Sequence, residues 1–577
     1  MINVRVNDES FSYDIHSLIK AFYPAEDVRV LSTTGDAGSG DDTPEFLIYA
    51  GEDRIDIVIC MNDKKDAGHE DVREAAPDKS SIVCHKYSFI VSRDLHENRA
   101  EYKSELKRQL YLALSDHTKR ELPWGTLTGI RPTKLAMAFM EDAGRMVEDA
   151  QDPSYEIDGI IKMYMDRYLA SKEKARLAVD IAIRERKVLK DIVRCAENTE
   201  KSDTHVITKA ETVHPLGMTG ILADGYSLYI GIPFCPSRCL YCSFMSYPIA
   251  VNKNAVAPYI EAVKKEIDYV ASSFAGRRLD SIYIGGGTPT TLTAEELKGL
   301  IDYVKDRLDT GSIREFTVEA GRADSIDEDK LKTLKRLGVD RISVNPQTLN
   351  EETLKFIGRK ATAAETVKAY ELARHVGFDN INMDIILGLP GERLDDVRYT
   401  LDGIAKLAPD DLTVHALAVK RGSKLAELLP GSEKGGGKMI RNGHAADRAD
   451  SRREENGGVT EIMLRNTELD YEKAMALTSE TAAGIGLHPY YLYRQKNISG
   501  NLENTGFAAE GKEGIYNILM MEEVQDIVAC GAGTVTKRVI PGIDGSVRID
   551  RCDTHKDLKL YIENIDEMIE RKRRLFG

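Results

Sequence analysis

Six apolar, strand-like runs occur between Ser227 and Val419, and helical stretches separate them. The runs are SLYIGIPF, DSIYIGG, EFTVEAG, RISVNPQ, NINMDIILGLP and DDLTVHALAV. Strands that alternate with helices form a parallel sheet with both faces covered. Six such units predict an open (β/α)6 partial barrel, with functional side chains at the carboxyl ends of the strands.

Three of the intervening helices begin with a capping-box pattern. In this pattern a Ser or Thr and a Glu three residues later bond the free backbone N–H groups of the first helical turn. The predicted pairs are Thr293 with Glu296, Ser325 with Glu328, and Thr362 with Glu365.

The rest of the chain divides by composition and periodicity. We predict a small α+β domain over 1–110, a helical region over 111–215, the (β/α)6 core over 216–430, a flexible glycine- and charge-rich insertion over 431–458, and a mostly helical segment over 459–577. The tract ELPWGTLTGIRPTKLA carries the only tryptophan, Trp124, in a predicted turn that is either structural or a contact between domains. The basic end of ENIDEMIERKRRLF is expected to be solvated and to complement the helix dipole.

Composition narrows the possible classes of function. The 577 residues carry a net charge of −15, which argues against a broad nucleic-acid surface. The start MINVRVNDES shows no secretory signal, and no apolar run is long enough to span a bilayer. Five scattered cysteines are predicted to be buried, reduced thiols, which favours a cytoplasmic location. They are Cys60, Cys84, Cys195, Cys530 and Cys552.

The other three cysteines, Cys235, Cys239 and Cys242, lie within eight residues in CPSRCLYC. A structural zinc site wants a fourth ligand, and no second Cys pair or His-x3–5-His follows. A thioredoxin-type pair would leave Cys235 unexplained. An iron–sulfur cluster held by three thiolates, with one iron open, accounts for all three.

A glycine-rich loop follows the next predicted strand. DSIYI runs directly into Gly285-Gly286-Gly287-Thr288-Pro289, where the absence of side chains lets the backbone approach a ligand. Such a loop is alone a weak signal, but it lies at the ligand-binding end of the strand after the cysteine strand. The two motifs together indicate a cofactor site.

IPFCPSRCLYC followed by GGGTP resembles the radical S-adenosylmethionine (SAM) superfamily, and within it the oxygen-independent coproporphyrinogen III oxidase (coproporphyrinogen dehydrogenase) group. The likeness is strong from Ser227 to Leu425 and weaker through LHPYYLYRQKNISGNLENTGFA and CGAGTVTK. LPWGTLTGIRPTK is similar to the subgroup with an N-terminal extension.

The resemblance implies a [4Fe–4S] cluster on Cys235, Cys239 and Cys242, with SAM on the fourth iron. It implies a catalytic role for Tyr229 near the sulfonium. It also implies that SAM is held by Gly286, Gly287, Thr288, Glu319, Gln347, Arg359 and Asp384. Arg359 suits a carboxylate, and Asp384 suits ribose hydroxyls.

The implied reaction is oxidative decarboxylation of two propionates of coproporphyrinogen III, giving protoporphyrinogen IX. The implied partners are a tetrapyrrole substrate and a low-potential electron donor such as flavodoxin or ferredoxin, with no nucleic acid and no membrane span. A tetracarboxylate substrate needs cations. The candidates are Arg322, Arg421, Arg494 and Lys496.

Three positions depart from the better-known branches. Phe244 stands where the oxidases have a fourth cysteine, and Gly231 stands where histidine is frequent. GNLENTGFA replaces the His-Asn and Tyr-Trp pattern of the haem-chaperone branch. Two alternatives therefore stay open: a haem-binding chaperone with this fold, and a radical SAM enzyme acting on another tetrapyrrole.

Overall fold

A computed structural model describes residues 2–24, 26–32, 46–62, 82–129, 131–146, 153–200, 224–420, 422–428, 469–494, 502–542 and 547–577. The chain forms two units. The first comprises Met1–Ile130 and Val147–Val179, and the second comprises Arg131–Met146 and Asp180–Gly577. The predicted insertion over 431–458 lies outside the described residues.

The first unit contains a five-stranded sheet in the order β2-β1-β3-β4-β5. Its strands are β1 (Ile2–Val6), β2 (Val28–Ser32), β3 (Phe46–Ala50), β4 (Arg54–Asn62) and β5 (Ile82–Ile90). Its first helices are α1 (Ser12–Phe22), α2 (Arg93–Glu97) and α3 (Arg99–Thr118). Alternate residues of β1 are buried, and α1 and α3 supply Leu18 and Leu110 to the same core. A period of two in the strand and amphipathic helices explain this α+β arrangement.

The helical stretch that follows contains α4 (Pro132–Met146), α5 (Pro153–Tyr168) and α6 (Lys172–Glu200). Trp124 is fully buried in the first unit. The turn around it is fixed by Gly125, which has a φ of +54°, and by a hydrogen bond from Thr126 N to Tyr168 O. Trp124 is therefore a core residue of that unit.

Cys60 and Cys84 correct one prediction. They are directly opposite each other on the antiparallel pair β4–β5, and the structure joins them as a disulfide. They are not reduced thiols, because the register places the two side chains on the same face of the sheet. Cys530 and Cys552 are free and buried, as predicted. The side chain of Cys195 lies outside the described residues.

The second unit is built on an eleven-stranded sheet in the order β14-β15-β13-β12-β11-β10-β9-β6-β16-β17-β18. The six predicted strands are confirmed as β6 (Gly225–Ile232), β9 (Arg278–Gly286), β10 (Glu315–Glu319), β11 (Arg341–Ser343), β12 (Ile381–Leu387) and β13 (Asp411–Ala416). All six are parallel neighbours, as an open β/α barrel requires. Between β6 and β9, the short strands β7 (Phe234–Cys235) and β8 (Tyr247–Pro248) pair with each other.

Helices connect the parallel strands and follow the last of them along the chain. They are α7 (Ile249–Asn252), α8 (Val256–Ser273), α9 (Ala294–Arg307), α10 (Glu328–Arg336), α11 (Glu351–Phe356), α12 (Ala363–Val376), α13 (Leu394–Leu407) and α14 (Lys424–Leu428). Capping boxes at Thr293 and Thr362 are confirmed. The box at Ser325 is wrong: Asp327 caps α10, and the Ser325 hydroxyl donates to the carbonyl of Arg322.

The C-terminal segment adds strands as well as the expected helices. It contains α15 (Tyr471–Gly484), β14 (His488–Tyr493), β15 (Asn504–Ala508), α16 (Ile515–Glu522), β16 (Asp526–Cys530), β17 (Val535–Pro541), β18 (Val547–Asp553), α17 (Leu558–Glu563) and α18 (Ile565–Phe576). Strand β16 is parallel to β6, whereas β15 is antiparallel to β13. The two edges of the parallel sheet are therefore extended, which pairs backbone groups that an open barrel would leave exposed.

The basic C-terminal helix is only partly solvated. Lys572 is fully buried and forms an ion pair with the equally buried Glu266. Glu266 also accepts hydrogen bonds from Gly531 N and from the hydroxyl of Tyr561. The prediction fails at Lys572 because an amphipathic helix can bury one cation when a carboxylate is fixed opposite it. Among the described residues, no helix combines the length and apolar character needed to cross a bilayer.

Candidate active site

All the residues predicted for cluster and cofactor binding line one cavity of about 330 Å³. The polar side chains come from the parallel strands and from the segments that connect them, as expected for this architecture. The predicted residues in its wall are Tyr229, Cys235, Cys239, Cys242, Gly286, Gly287, Thr288, Glu319, Gln347, Arg359 and Asp384, together with Arg322.

The cysteine loop is fixed by short contacts to neighbouring loops. Sγ of Cys235 lies 3.4 Å from Oγ1 of Thr288, and Sγ of Cys239 accepts a hydrogen bond of 3.6 Å from Arg322. Burial raises the pKa of the Cys242 thiol, and the other two thiols raise it further. All three cysteines line the same cavity.

The thiol arrangement fits a polynuclear cluster. In an iron–sulfur cluster each thiolate binds its own iron, and all three cysteines line this cavity, so they are suitable ligands for such a cluster.

The glycine loop runs against the cysteine strand. Gly287 N donates to Ile232 O at 2.7 Å, and Thr288 N donates to Phe234 O at 2.8 Å. A Cβ on Gly287 would lie 2.6 Å from Phe234 O and 3.0 Å from Sγ of Cys235. Gly286 has a φ of +109°, which favours glycine. The loop can approach the cysteines this closely only because it lacks side chains.

Gly231, one of the departures from the related branches, also has a steric reason. A Cβ at this position would lie 2.6 Å from Cγ2 of Thr534, which belongs to the C-terminal segment. The carbonyl of Gly231 accepts a hydrogen bond from the buried hydroxyl of Tyr259. A larger residue here would displace the end of β6, which leads into the cysteine loop.

Arg359 places a half-buried cation in the cavity wall. Its guanidinium donates to Asn345 O at 2.5 Å and to the Tyr241 hydroxyl at 3.2 Å. Its Nε is buried and has no hydrogen-bond partner among the described residues. An unpartnered guanidinium N–H next to this cavity suits an anionic group such as a carboxylate.

Glu319 is coupled to a stack of three tyrosines. Its carboxylate accepts a 2.7 Å hydrogen bond from the Tyr283 hydroxyl, and the ring of Tyr283 stacks on those of Tyr229 and Tyr516 at 6.0 and 4.6 Å. Burial, with a contribution from the charge of Asp384, raises the pKa of Glu319 to about 7. The stack fixes the orientation of Tyr229 at the cavity wall.

Asp384 and Gln347 form the next part of the wall. Asp384 accepts 2.7 Å hydrogen bonds from the side-chain amides of Asn345 and Asn382. Gln347 has a φ of +67°, a strained conformation for a residue other than glycine. Its backbone N bonds Asp384 O, and its carbonyl accepts from Ile386 N, each at 2.9 Å. Backbone strain of this kind is concentrated at functional sites.

The predicted substrate cations lie in different places. Arg322 is buried and pairs with Asp324 through two hydrogen bonds of 2.9 and 2.7 Å. Arg494 is buried near the end of β14 and does not line the cavity. Arg421 and Lys496 lie outside the described residues.

Several wall residues were not predicted from the sequence, among them His415, Lys420, Tyr493 and Asn504. His415 was within a predicted strand, near its carboxyl end, and an imidazole in an apolar run was a usable signal. Tyr493 and Asn504 are brought to the cavity by the antiparallel strands β14 and β15, which alternation of parallel strands does not reveal.

Residues 229–404 match the family model of the radical SAM superfamily. The chain is 36% identical over 531 residues to the oxygen-independent coproporphyrinogen-III oxidase-like protein HemZ of Bacillus subtilis, with 91% of each protein covered. It is also 36% identical over 195 residues to the heme chaperone HemW of the same species, covering 34% of this chain and 51% of the chaperone.

Among solved structures, coproporphyrinogen III oxidase HemN from Escherichia coli aligns with a TM-score of 0.42 and 21% identity, covering 65% of this chain and 78% of that chain. The match to HemZ extends over nearly the full length of both proteins. The chain belongs to the radical SAM superfamily and, within it, to the family of oxygen-independent coproporphyrinogen-III oxidase-like proteins.

Proposed function

We propose that the protein is a radical SAM oxidoreductase that converts coproporphyrinogen III to protoporphyrinogen IX without oxygen. The observation that carries this proposal is the convergence of three cysteines, a glycine loop and four polar side chains in one cavity. The similarity to HemZ, whose name refers to coproporphyrinogen-III oxidase, supports the choice of substrate.

Each part of the cavity has a role in the proposal. Cys235, Cys239 and Cys242 would hold a [4Fe–4S] cluster. The Gly286–Thr288 loop would receive the amino group of SAM, and Arg359 its carboxylate, since the Nε of Arg359 lacks a partner.

The other polar residues would bind the rest of SAM. Asp384 and Gln347 would orient the ribose, while Glu319 would face the positively charged end of the molecule. Tyr229, fixed by the stack with Tyr283, would lie near the sulfonium.

When bound, a reduced [4Fe–4S] cluster supplies the electron that cleaves SAM into methionine and a 5′-deoxyadenosyl radical. The chain positions the reacting groups and excludes water. Each propionate would lose a hydrogen atom, carbon dioxide and one electron to give a vinyl group. A low-potential protein such as flavodoxin or ferredoxin would donate the first electron, and a one-electron acceptor would take up the last.

The test is anaerobic incubation of the reconstituted protein with a low-potential reductant, SAM and coproporphyrinogen III. We expect 5′-deoxyadenosine, methionine and a product that has lost two carboxyl groups. The Cys239→Ala variant should lose cluster assembly and SAM cleavage together. Recovery of intact coproporphyrinogen III despite a complete cluster and SAM cleavage would contradict the proposed activity.

Haem delivery is a second candidate. The similarity to the heme chaperone HemW and the presence of Phe244 two residues after Cys242 favour it. Haem titration separates the two functions. One-to-one haem binding by the holoprotein, with no turnover of coproporphyrinogen III, would support the chaperone.

A further inference from the structure

The antiparallel edge of the large sheet contributes a histidine–tyrosine pair to the cavity. The hydroxyl of Tyr493 lies 3.3 Å from Nδ1 of His415, and Nε2 of His415 lies 4.0 Å from a carboxylate oxygen of Asp384. A hydroxyl that donates to Nδ1 leaves the imidazole proton on Nε2. The ring then offers a hydrogen-bond donor within the cavity, next to the proposed cofactor residues.

Lys420 adds a cation to the same wall. It follows β13, lines the cavity, and places its ammonium 5.8 Å from the centre of the Phe244 ring. It has no ion pair with any residue in the part of the chain that the structure describes. Burial lowers the pKa of His415; the charge of Asp384 opposes this shift and the charge of Lys420 adds to it, so the net pKa is lowered and the imidazole is a neutral donor beside a charged one.

Other cations of the cavity wall are already engaged. The charge of Arg322 is balanced by Asp324, and its remaining N–H groups bond Ser237 and Cys239 in the cysteine loop. Arg359 is assigned to the carboxylate of SAM. Of the described residues in the cavity wall, Lys420 is therefore the cation that is neither paired with a carboxylate nor assigned to SAM.

We propose that His415, Tyr493 and Lys420 form a subsite that binds a carboxylate of the substrate. This inference rests on the proposed function and specifies where the substrate binds. A propionate would contact the part of the cavity wall formed by the last parallel strand and the C-terminal segment. Lys420 supplies the charge, Nε2 of His415 donates a directional hydrogen bond, and Tyr493 orients the imidazole.

The test measures equilibrium binding and needs no turnover. The anaerobically reconstituted holoprotein, without SAM or reductant, is titrated with fluorescent coproporphyrin III and with etioporphyrin, which lacks carboxylates. Lys420→Gln and His415→Gln should each weaken coproporphyrin binding by about tenfold and leave etioporphyrin binding unchanged. Tyr493→Phe should weaken coproporphyrin binding by a smaller factor, because the imidazole remains but loses its orienting partner.

Lys424→Gln is the matched control, since Lys424 is an exposed lysine that does not line the cavity. It should change neither titration. No coproporphyrin binding by the wild type, equal losses for both porphyrins, or full coproporphyrin affinity in the Lys420 and His415 variants would each overturn the subsite.

The two proposals fail separately. If the variants lose coproporphyrin selectively while the wild type leaves coproporphyrinogen III intact, the subsite stands and decarboxylation fails. If the wild type decarboxylates its substrate and the variants keep full coproporphyrin affinity, the activity stands and the subsite fails.

Discussion

The Tyr283 hydroxyl donates a 2.7 Å hydrogen bond to the Glu319 carboxylate, and burial, with a contribution from the charge of Asp384, raises the pKa of Glu319 to about 7. A carboxyl group with this pKa is partly protonated at neutral pH. SAM carries a sulfonium and an ammonium group, and a positive ligand favours the ionised carboxylate. The protonation state of Glu319 should therefore control the affinity for SAM.

We expect the affinity for SAM to rise with pH between about pH 6 and pH 8, with release of up to one proton on binding. The affinity is lower below the pKa of Glu319 because the carboxyl group must release its proton when SAM binds. Above the pKa the group is already ionised, so binding has no such cost. Calorimetric titration in buffers of different ionisation enthalpy measures the released proton. Glu319→Gln should abolish this pH dependence.

Glu392 provides the matched control for Glu319. Burial raises its pKa to about 7 as well, but it bonds Thr348 and does not line the cavity. Glu392→Gln should keep the pH dependence of SAM binding. Loss of that dependence in the Glu392 variant, with retention in Glu319→Gln, would contradict the assignment.

Gly287→Ala should impair cluster loading, because its Cβ would meet Phe234 O at 2.6 Å and the sulfur of Cys235 at 3.0 Å. We expect less iron per chain and a free energy of unfolding lower by about 1–3 kcal/mol. Gly299→Ala is the control: no atom lies within 4 Å of its Cβ, and it lies inside α9. That change should raise stability by about 0.5–1 kcal/mol. Equal iron content in both variants would contradict the argument that the loop needs a glycine at position 287 to lie against the cysteine strand.

Arg359→Lys should weaken SAM binding while leaving the iron content intact. Lysine keeps the positive charge but has no planar guanidinium. It cannot bond Asn345 and Tyr241 with two N–H groups and still present a third N–H, that of Nε, to the ligand. We expect an increase of about tenfold in the dissociation constant for SAM, measured by equilibrium titration of the holoprotein. An unchanged constant would remove Arg359 from the cofactor site.

Breaking the buried Glu266–Lys572 pair should destabilise the second unit. Lys572→Met leaves a buried carboxylate without its counter-ion, which costs about 3–5 kcal/mol of unfolding free energy. Adding Glu266→Gln to Lys572→Met should restore part of the lost unfolding free energy, because the neutral amide can still accept the hydrogen bond from Gly531 N. The exposed pair Lys559–Glu563 is the control. Denaturant unfolding should show no change for Lys559→Met, and a similar null result for Lys572→Met would contradict the argument.

The sequence predicts the strands and helices of the barrel well because the patterns that indicate them involve residues close together in the chain. Strand alternation and the Thr293 and Thr362 caps depend on residues close together in the chain, whereas Asp327 displaced Ser325 as a cap through a competing side chain two positions later.

Contacts between distant segments were less predictable. The His415–Tyr493 pair joins residues 78 positions apart, and the Glu266–Lys572 pair joins residues 306 apart. The Cys60–Cys84 pairing depends on strand register, which cysteine spacing does not specify. The edge strands and the buried ion pair could therefore be identified only from the structure and not from the sequence.

The most direct measurement follows a hydrogen atom. Coproporphyrinogen III deuterated at the β carbons of its propionates is incubated anaerobically with holoprotein, reductant and SAM, and the 5′-deoxyadenosine is analysed by mass spectrometry. The proposed function predicts one deuterium transferred to 5′-deoxyadenosine for each carboxyl group lost. Unlabelled 5′-deoxyadenosine, formed while the porphyrinogen keeps all of its deuterium and carboxyl groups, would contradict it.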